Sequence, residues 1–294
     1  MNTFKYTMLL LLTTFLMGSS FAVVKIALPY SSPLLLAGLR FTLAGFLMAI
    51  IMIILKRQHP RSATNWLKLF IIGAFQTAGV MGCIFLSLRT VTASESSILT
   101  FTNPLLVIVF GSVFLKAHYK LHQWIGVLFG LVGVSITLGA QLEWKIGILF
   151  GILSAVFWAV STLLVKKWGV LFDTWVLSAY QMLFGGLLLL LSSFVLEQPF
   201  FILNRNSLLL LLWLSIMSSI VQFAIWYYLL QKSDPGKTSA FLFLAPFFGV
   251  FTGWLLLEEP LYPSIVIGGL FIIIGIYFVN RNFAPKKRHI NRTL

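Results

Sequence analysis

The second half of this chain repeats the first at a nearly constant offset, within segments long and apolar enough to cross a membrane. Pro104 and Pro246, Gly111 and Gly253, Gly126 and Gly268, and Gly133 and Gly275 are all separated by the same interval. So are Ser97 and Ser239, Phe101 and Phe243, and Leu115 and Leu257. Ser20 and Ser161, Lys25 and Lys166, and Gly45 and Gly186 share an interval shorter by a single position, a small difference in loop length accounting for the change. Two related halves around one site can open alternately to either side, so duplication in a membrane chain predicts a carrier.

Hydrophobic residues make up 59% of the sequence, charged residues 10%, and the mean hydropathy is +0.98, which excludes an ordinary water-soluble domain. The apolar runs are too long for the alternating strands of an outer-membrane barrel, so the predicted class is an all-α integral membrane protein. Ten runs stand out, at about 7–27, 34–55, 67–88, 93–114, 122–138, 146–165, 175–196, 207–230, 238–257 and 264–279. They form two repeats of five spans, residues 1–138 and 146–279, followed by a basic tail over 280–294. Because five is odd, the second repeat enters the membrane inverted relative to the first. Little chain remains outside the spans for a soluble catalytic domain.

Basic residues orient this frame. With the N-terminus in the cytoplasm, only Lys25, Arg89, Lys145 and Arg205 fall on the outer side; Arg40 lies inside a span, and the other sixteen of the 21 Lys and Arg face inward. That bias predicts cytoplasmic N- and C-termini in a cell membrane, and it assigns the net charge of +14 to anionic headgroups rather than nucleic acid. Lys5, the first apolar run and Ser20, Phe21, Ala22 imitate a cleavable signal. Cleavage is rejected because the run continues to Leu28 and residues 17–25 have a counterpart at 158–166.

The segment Met17, Gly18, Ser19, Ser20, Phe21, Ala22, Val23, Val24, Lys25 resembles the first-helix pattern of EamA-type carriers of the drug/metabolite transporter superfamily. Pro33 with Arg40 and Phe41, Ala93 to Pro104, and Gln123, Trp124, Ile125, Gly126 with Gly130 and Gly133 resemble later segments of that pattern, in both halves. The resemblance implies ten spans around a central cavity bounded by spans one, three, four, six, eight and nine. Two departures stand out. Glu259 fills the Glu position that ends the fourth helix of the family repeat, whereas its mate in the first half is Ala117. The aromatic position of the first helix is Met17, while Trp158 keeps it in the sixth, so a stacking role is expected of Trp158 alone.

Ionisable side chains inside a bilayer are costly and become candidates for function. Arg40 lies too deep to escape easily to the interface, and Lys25 and Glu95 share its half of the membrane. Those three are expected to form a charged cluster, in which Arg40 or Lys25 attracts a substrate carboxylate while Glu95 takes an amine or a proton. In the plainer alternative Arg40 pairs with backbone carbonyls and Lys25 snorkels. Gln76, Thr100, Asn103, Tyr180, Gln181, Gln222 and Tyr227 are further binding candidates, against the alternative that such groups bond the preceding turn or a neighbouring helix. Pro104 and Pro246, placed mid-helix in the fourth span of each repeat, are candidate hinges. The paired glycines are expected to pack helices within the protein or across a homodimer.

Chemistry finds no foothold. The four His lack metal-ligand spacing, Cys83 is the single cysteine, and no phosphate-binding loop or nucleophile elbow occurs. The expectation is a non-enzymatic carrier without cofactor or metal, exporting a small metabolite, an amino acid or a derivative. The partners are that solute, the bilayer and a proton where transport is coupled. Drug or toxic-metabolite efflux is the alternative, and a channel subunit, sensor or scaffold the alternative from another class.

Overall fold

A computed structural model describes residues 3–114, 116, 119–138, 145–232, 242 and 244–280. The described residues are helical, with an isolated bridge between Ser31 and Phe201 where two loops meet. The basic tail and the predicted start of the ninth span lie outside them.

Helix α1 (Thr3–Ala27) runs into a short 3-10 turn, and α2 (Pro33–Ile54) opens with Pro at its first position, where the missing N–H costs nothing. A continuous rod follows, of α3 (Ala63–Gly73), a π-helical turn (Ala74–Gly79) and α4 (Val80–Ser87). Next come α5 (Ala93–Thr100), α6 (Asn103–Phe114) and α7 (Leu121–Leu138). The second half holds α8 (Ile146–Trp168), α9 (Thr174–Leu196), and a rod of α10 (Arg205–Ser215), a π turn (Ile216–Val221) and α11 (Gln222–Lys232). Helices α12 (Leu244–Leu257) and α13 (Pro263–Asn280) complete it. Among the described residues seven stretches are long and apolar enough to cross a membrane, and Leu121–Gly133, Leu244–Leu257 and Pro263–Phe278 are shorter apolar helices.

Polar residues set the starts. Ser62, Asp173 and Asn204 accept hydrogen bonds from the first turns of α3, α9 and α10, and Thr92 and Glu95 form a reciprocal capping box on α5. The predicted fourth span is broken. α5 ends at Thr100, and α6 restarts at Asn103 with Pro104 in its first turn. Pro104 therefore lies at a helix start, where its lost N–H would be unpaired anyway. The mid-helix placement expected from the sequence is corrected for Pro104; for Pro246 it turns on Phe243 and earlier positions that lie outside the described residues.

Local backbone features recur at the sequence offset. The two π turns begin at Ala74 and Ile216, and the left-handed residues Lys116 (φ 50) and Glu258 (φ 53) are separated by that same interval. Packing recurs as well: α2 lies along α9, α7 along α13, α1 against α11 and α12, and α8 against α4, α5 and α6. Lipid supplies no hydrophobic force to hold apolar helices together, so close backbone approach does the work. A Cβ on Gly133 would stand 2.6 Å from the Gly268 carbonyl oxygen, and one on Gly275 2.6 Å from that of Gly126. These four glycines are consumed by the α7–α13 crossing inside the protein.

Candidate functional site

Between the halves lies a cavity of about 330 Å³, walled by residues of α1, α2, the α3–α4 rod, α8, α9 and the α10–α11 rod, with Phe101 from the α5–α6 break. Both π turns reach it, through Gln76 and through Ser218. A π turn inserts one residue into the helix, and such turns collect at functional sites because they re-aim side chains and free carbonyls. Most of the wall is apolar, with rings from Phe85, Phe101, Trp158, Phe223 and Trp226. The Phe101 and Trp158 ring centroids are 5.5 Å apart.

Arg40 is the charged residue in the described wall, only 3% exposed. Its Nε donates to Ser219 Oγ at 3.0 Å and its Nη2 to the Ser218 carbonyl at 2.9 Å. Its Cζ stands 4.6 Å from the Phe41 ring centroid and 6.0 Å from that of Phe85. The cluster of Arg40 with Lys25 and Glu95 does not form: the guanidinium turns inward to the second π turn, which supplies oxygen acceptors at bilayer depth. Three glutamines line the same space. Gln76 accepts from Ser161 Oγ, Gln181 accepts from Thr77 Oγ1 at 2.5 Å, and Gln222 receives Thr13 Oγ1 on its main-chain carbonyl at 3.1 Å, leaving its side chain on the cavity.

The remaining candidates sit elsewhere. Lys25 donates to the Val91 carbonyl and stands 3.8 Å from Glu259 Oε1. Glu95 is held in its capping box, with Oε2 accepting from Thr92 N at 2.9 Å, so it is not the lining carboxylate the sequence suggested. Thr100 bonds Ser154 at 2.8 Å and ties α5 to α8. Asn103 is buried at the start of α6, off the cavity wall. Tyr180 packs edge-on to Trp66 at 4.7 Å and beside His59, between α9 and the start of α3. Tyr227 belongs to α11 by its backbone, and its side chain lies outside the described residues.

Glu259 stands in the sequence only as a motif position, yet it organises one end of the molecule. It is 7% exposed, and its carboxylate accepts from Ala93 N at 2.6 Å, Ser94 N at 3.1 Å and Ser94 Oγ at 2.9 Å. A second-half carboxylate thus caps the N-terminus of first-half helix α5, where the helix dipole favours negative charge. Around the same end Ser32 N donates to the Phe200 carbonyl at 3.1 Å, Ile202 N to the Tyr30 carbonyl at 2.8 Å, and Gly147 N to Thr90 Oγ1 at 2.9 Å. Glu197 caps α2 through Leu34 N and Leu35 N. The break in the repeat at Ala117 and Glu259 is the signal that singles this residue out.

A cavity walled by both halves of a duplicated apolar helical chain is the geometry of a solute carrier, and known proteins agree with it. The model of the EamA-like transporter family matches twice, over residues 4–139 and 145–281. The chain belongs to the EamA-like transporter family. It is 24% identical to the uncharacterized transporter YoaV of Bacillus subtilis over 93% of this chain and 96% of that protein. An uncharacterized transporter of Archaeoglobus fulgidus is 30% identical over 93% and 96% of the two chains. A chloroplastic WAT1-related protein of Arabidopsis thaliana is 25% identical over 95% of this chain and 70% of that protein. One solved crystal structure superposes with a TM-score of 0.67 at 19% identity, covering 92% of this chain and 96% of the other, which supports the fold. The transporter is accordingly a multi-pass membrane protein with a small-molecule substrate, and the scaffold alternative falls away.

Proposed function

We propose that this transporter exports a small metabolite, an amino acid or a derivative, by alternating access. In this reading ten spans form two inverted repeats, residues 1–138 and 146–279, with both termini and the 280–294 tail in the cytoplasm. The observation that carries it is the pairing of a central cavity containing one guanidinium with an end sealed by contacts between the halves. Glu259, Glu197 and the Ser32–Phe200 and Tyr30–Ile202 backbone bonds close the side on which α1 ends and α2 begins. That is the outer side when the N-terminus is cytoplasmic, so the conformation corresponds to a carrier shut toward the outside. The turn before Pro104, and Pro246 as its repeat mate, remain the candidate hinges for its reversal.

A proton-coupled cycle would run through Glu259, the buried carboxylate that joins the halves, rather than through Glu95. Drug efflux is the second reading, favoured by the aromatic share of the wall. A homodimer would have to use faces other than the α7–α13 glycines. The test is counterflow of a labelled amino-acid panel in proteoliposomes of the purified protein, with and without a pH gradient. Saturable exchange of a panel member or its derivative is expected. Failure of folded protein to exchange any amino acid, derivative or lipophilic drug would overturn the carrier reading.

A further inference from the structure

The transporter contains an internal control for the role of its buried charge. Arg40 in α2 and Gln181 in α9 occupy matching places in the two repeats, at the offset that relates Gly45 to Gly186, on helices that pack against each other. Each reaches the π turn of the opposite half, and each meets the hydroxyl at the same position of that turn. Arg40 Nε bonds Ser219 Oγ at 3.0 Å, and Gln181 Oε1 bonds Thr77 Oγ1 at 2.5 Å. Thr77 and Ser219 are themselves repeat mates, each the fourth residue of its π turn. A neutral amide therefore makes in one half the tie that a guanidinium makes in the other. Tying the helix to the π turn needs a hydrogen-bonding group and no charge.

The charge of Arg40 is surplus to that structural task. Two of its five N–H groups have acceptors, both neutral, and among the described residues no carboxylate lies within ion-pair distance of it. A buried cation without a counter-ion is costly, and the cost is recovered when a ligand brings the anion. The remaining donors belong to a side chain in the cavity wall, and a guanidinium fork matches a carboxylate in two-point contact. The described wall contains no Asp or Glu, so a ligand ammonium has no carboxylate to meet there. Gln76 and Gln222 offer neutral hydrogen bonds, and Phe101, Trp158 and Trp226 offer apolar faces.

Resting on the carrier reading and narrowing its substrate class, we propose that the cavity selects an amphipathic monocarboxylate without a positive charge. An N-acylated amino acid fits it, with its carboxylate on Arg40, its amide toward the glutamines and its apolar group against the rings. The free zwitterionic amino acid is the poorer ligand, because no carboxylate in the described wall offsets the desolvation of its ammonium and the neutral amides and rings offset it only in part.

Three probes on the full-length protein test this: N-acetylphenylalanine, N-acetylphenylalanine amide and phenylalanine. Each is assayed by ligand-induced thermal stabilisation in detergent and by counterflow in proteoliposomes. The expected result is saturable binding and exchange of the N-acetyl acid, with the amide and the free amino acid at least about tenfold weaker, the scale of one charge-assisted contact. Arg40→Gln, which copies the mate residue, should keep the melting temperature of the unliganded protein and lose the preference for acid over amide. Equal responses to acid and amide in the unaltered protein overturn the anion assignment while leaving transport intact, and phenylalanine matching the N-acetyl acid overturns the discrimination against ammonium. Stabilisation by the acid with no exchange of any probe would leave the site standing and remove the carrier reading. No response to any probe in either assay would overturn the assignment itself. The acid and amide comparison in the unaltered protein decides the matter even where Arg40→Gln fails to fold.

Discussion

The two ends of the molecule are joined by different kinds of polar contact. At the end where α1 stops and α2 starts, Glu259 is buried and engages two backbone N–H groups and a hydroxyl on α5, with Lys25 at 3.8 Å. At the other end Arg57 and Asp173 pair at 3.4 Å, with the Arg57 side chain 46% exposed. Coulomb attraction and hydrogen bonds to a charged group strengthen where water is excluded and weaken where water and salt compete. Among the described residues the first end is thus held by contacts whose loss leaves polar groups stranded, whereas the ion pair at the second is one that water replaces at little cost. In the proposed cycle the first end is the one that rests closed, a bias that composition alone does not reveal.

The sharpest way to break the comparison is Glu259→Ala. It takes the acceptor from Ala93 N, Ser94 N and Ser94 Oγ at the start of α5 and the counter-ion from Lys25, leaving only the Thr92–Glu95 capping box, and it should cost about 3 kcal/mol, the scale for removing one partner of a buried charged network. A thermal melt in detergent together with labelling of a cysteine introduced beside the cavity checks it; unchanged stability and unchanged labelling from the Glu259 side would remove the residue as a latch. Glu197→Ala should act in the same direction at about 1 kcal/mol, since Leu34 N, Leu35 N and Ser193 Oγ lose an acceptor near an end that stays partly hydrated. Arg57→Ala should shift stability by less than about 0.5 kcal/mol, and high salt should abolish even that. If Arg57→Ala equalled or exceeded Glu259→Ala in the same melt, the ranking of the two ends would be reversed.

Much of the fold was legible because it depends on period and repetition. The all-helical membrane class followed from run length and hydropathy, the family from the ordered motifs, and the recurrence that relates Pro104 to Pro246 reappears in the π turns and in Lys116 and Glu258. The π turns themselves left no mark in the apolar pattern, since one inserted residue in a helix that is hydrophobic all round changes no period. The break at Phe101 and Thr102 lies inside a stretch of span length, where Thr100, Thr102 and Asn103 interrupt the apolar residues and Pro104 favours a helix start, signals that the length of the stretch overrode.

The candidate site was legible in part. Arg40, Gln76, Trp158, Gln181 and Gln222 come together on one cavity because polar residues on otherwise apolar helices avoid lipid and turn inward. Glu95 was misplaced because proximity along the chain to a predicted mouth said nothing about its capping partner, Thr92. Thr100 and Tyr180 were drawn off by neighbours on α8 and α3 that no linear spacing exposes.

The sequence by itself determined the membrane class, the family and the duplicated plan, since run length, charge and repetition are properties of the chain read in order. Tertiary structure alone decided that Arg40 meets Ser218 and Ser219, that Gln181 meets Thr77, and that Glu259 caps the far-removed helix α5. Those pairings join groups from opposite halves, and a polar side chain buried in an apolar bundle takes whichever partner the helix crossings bring within hydrogen-bond reach.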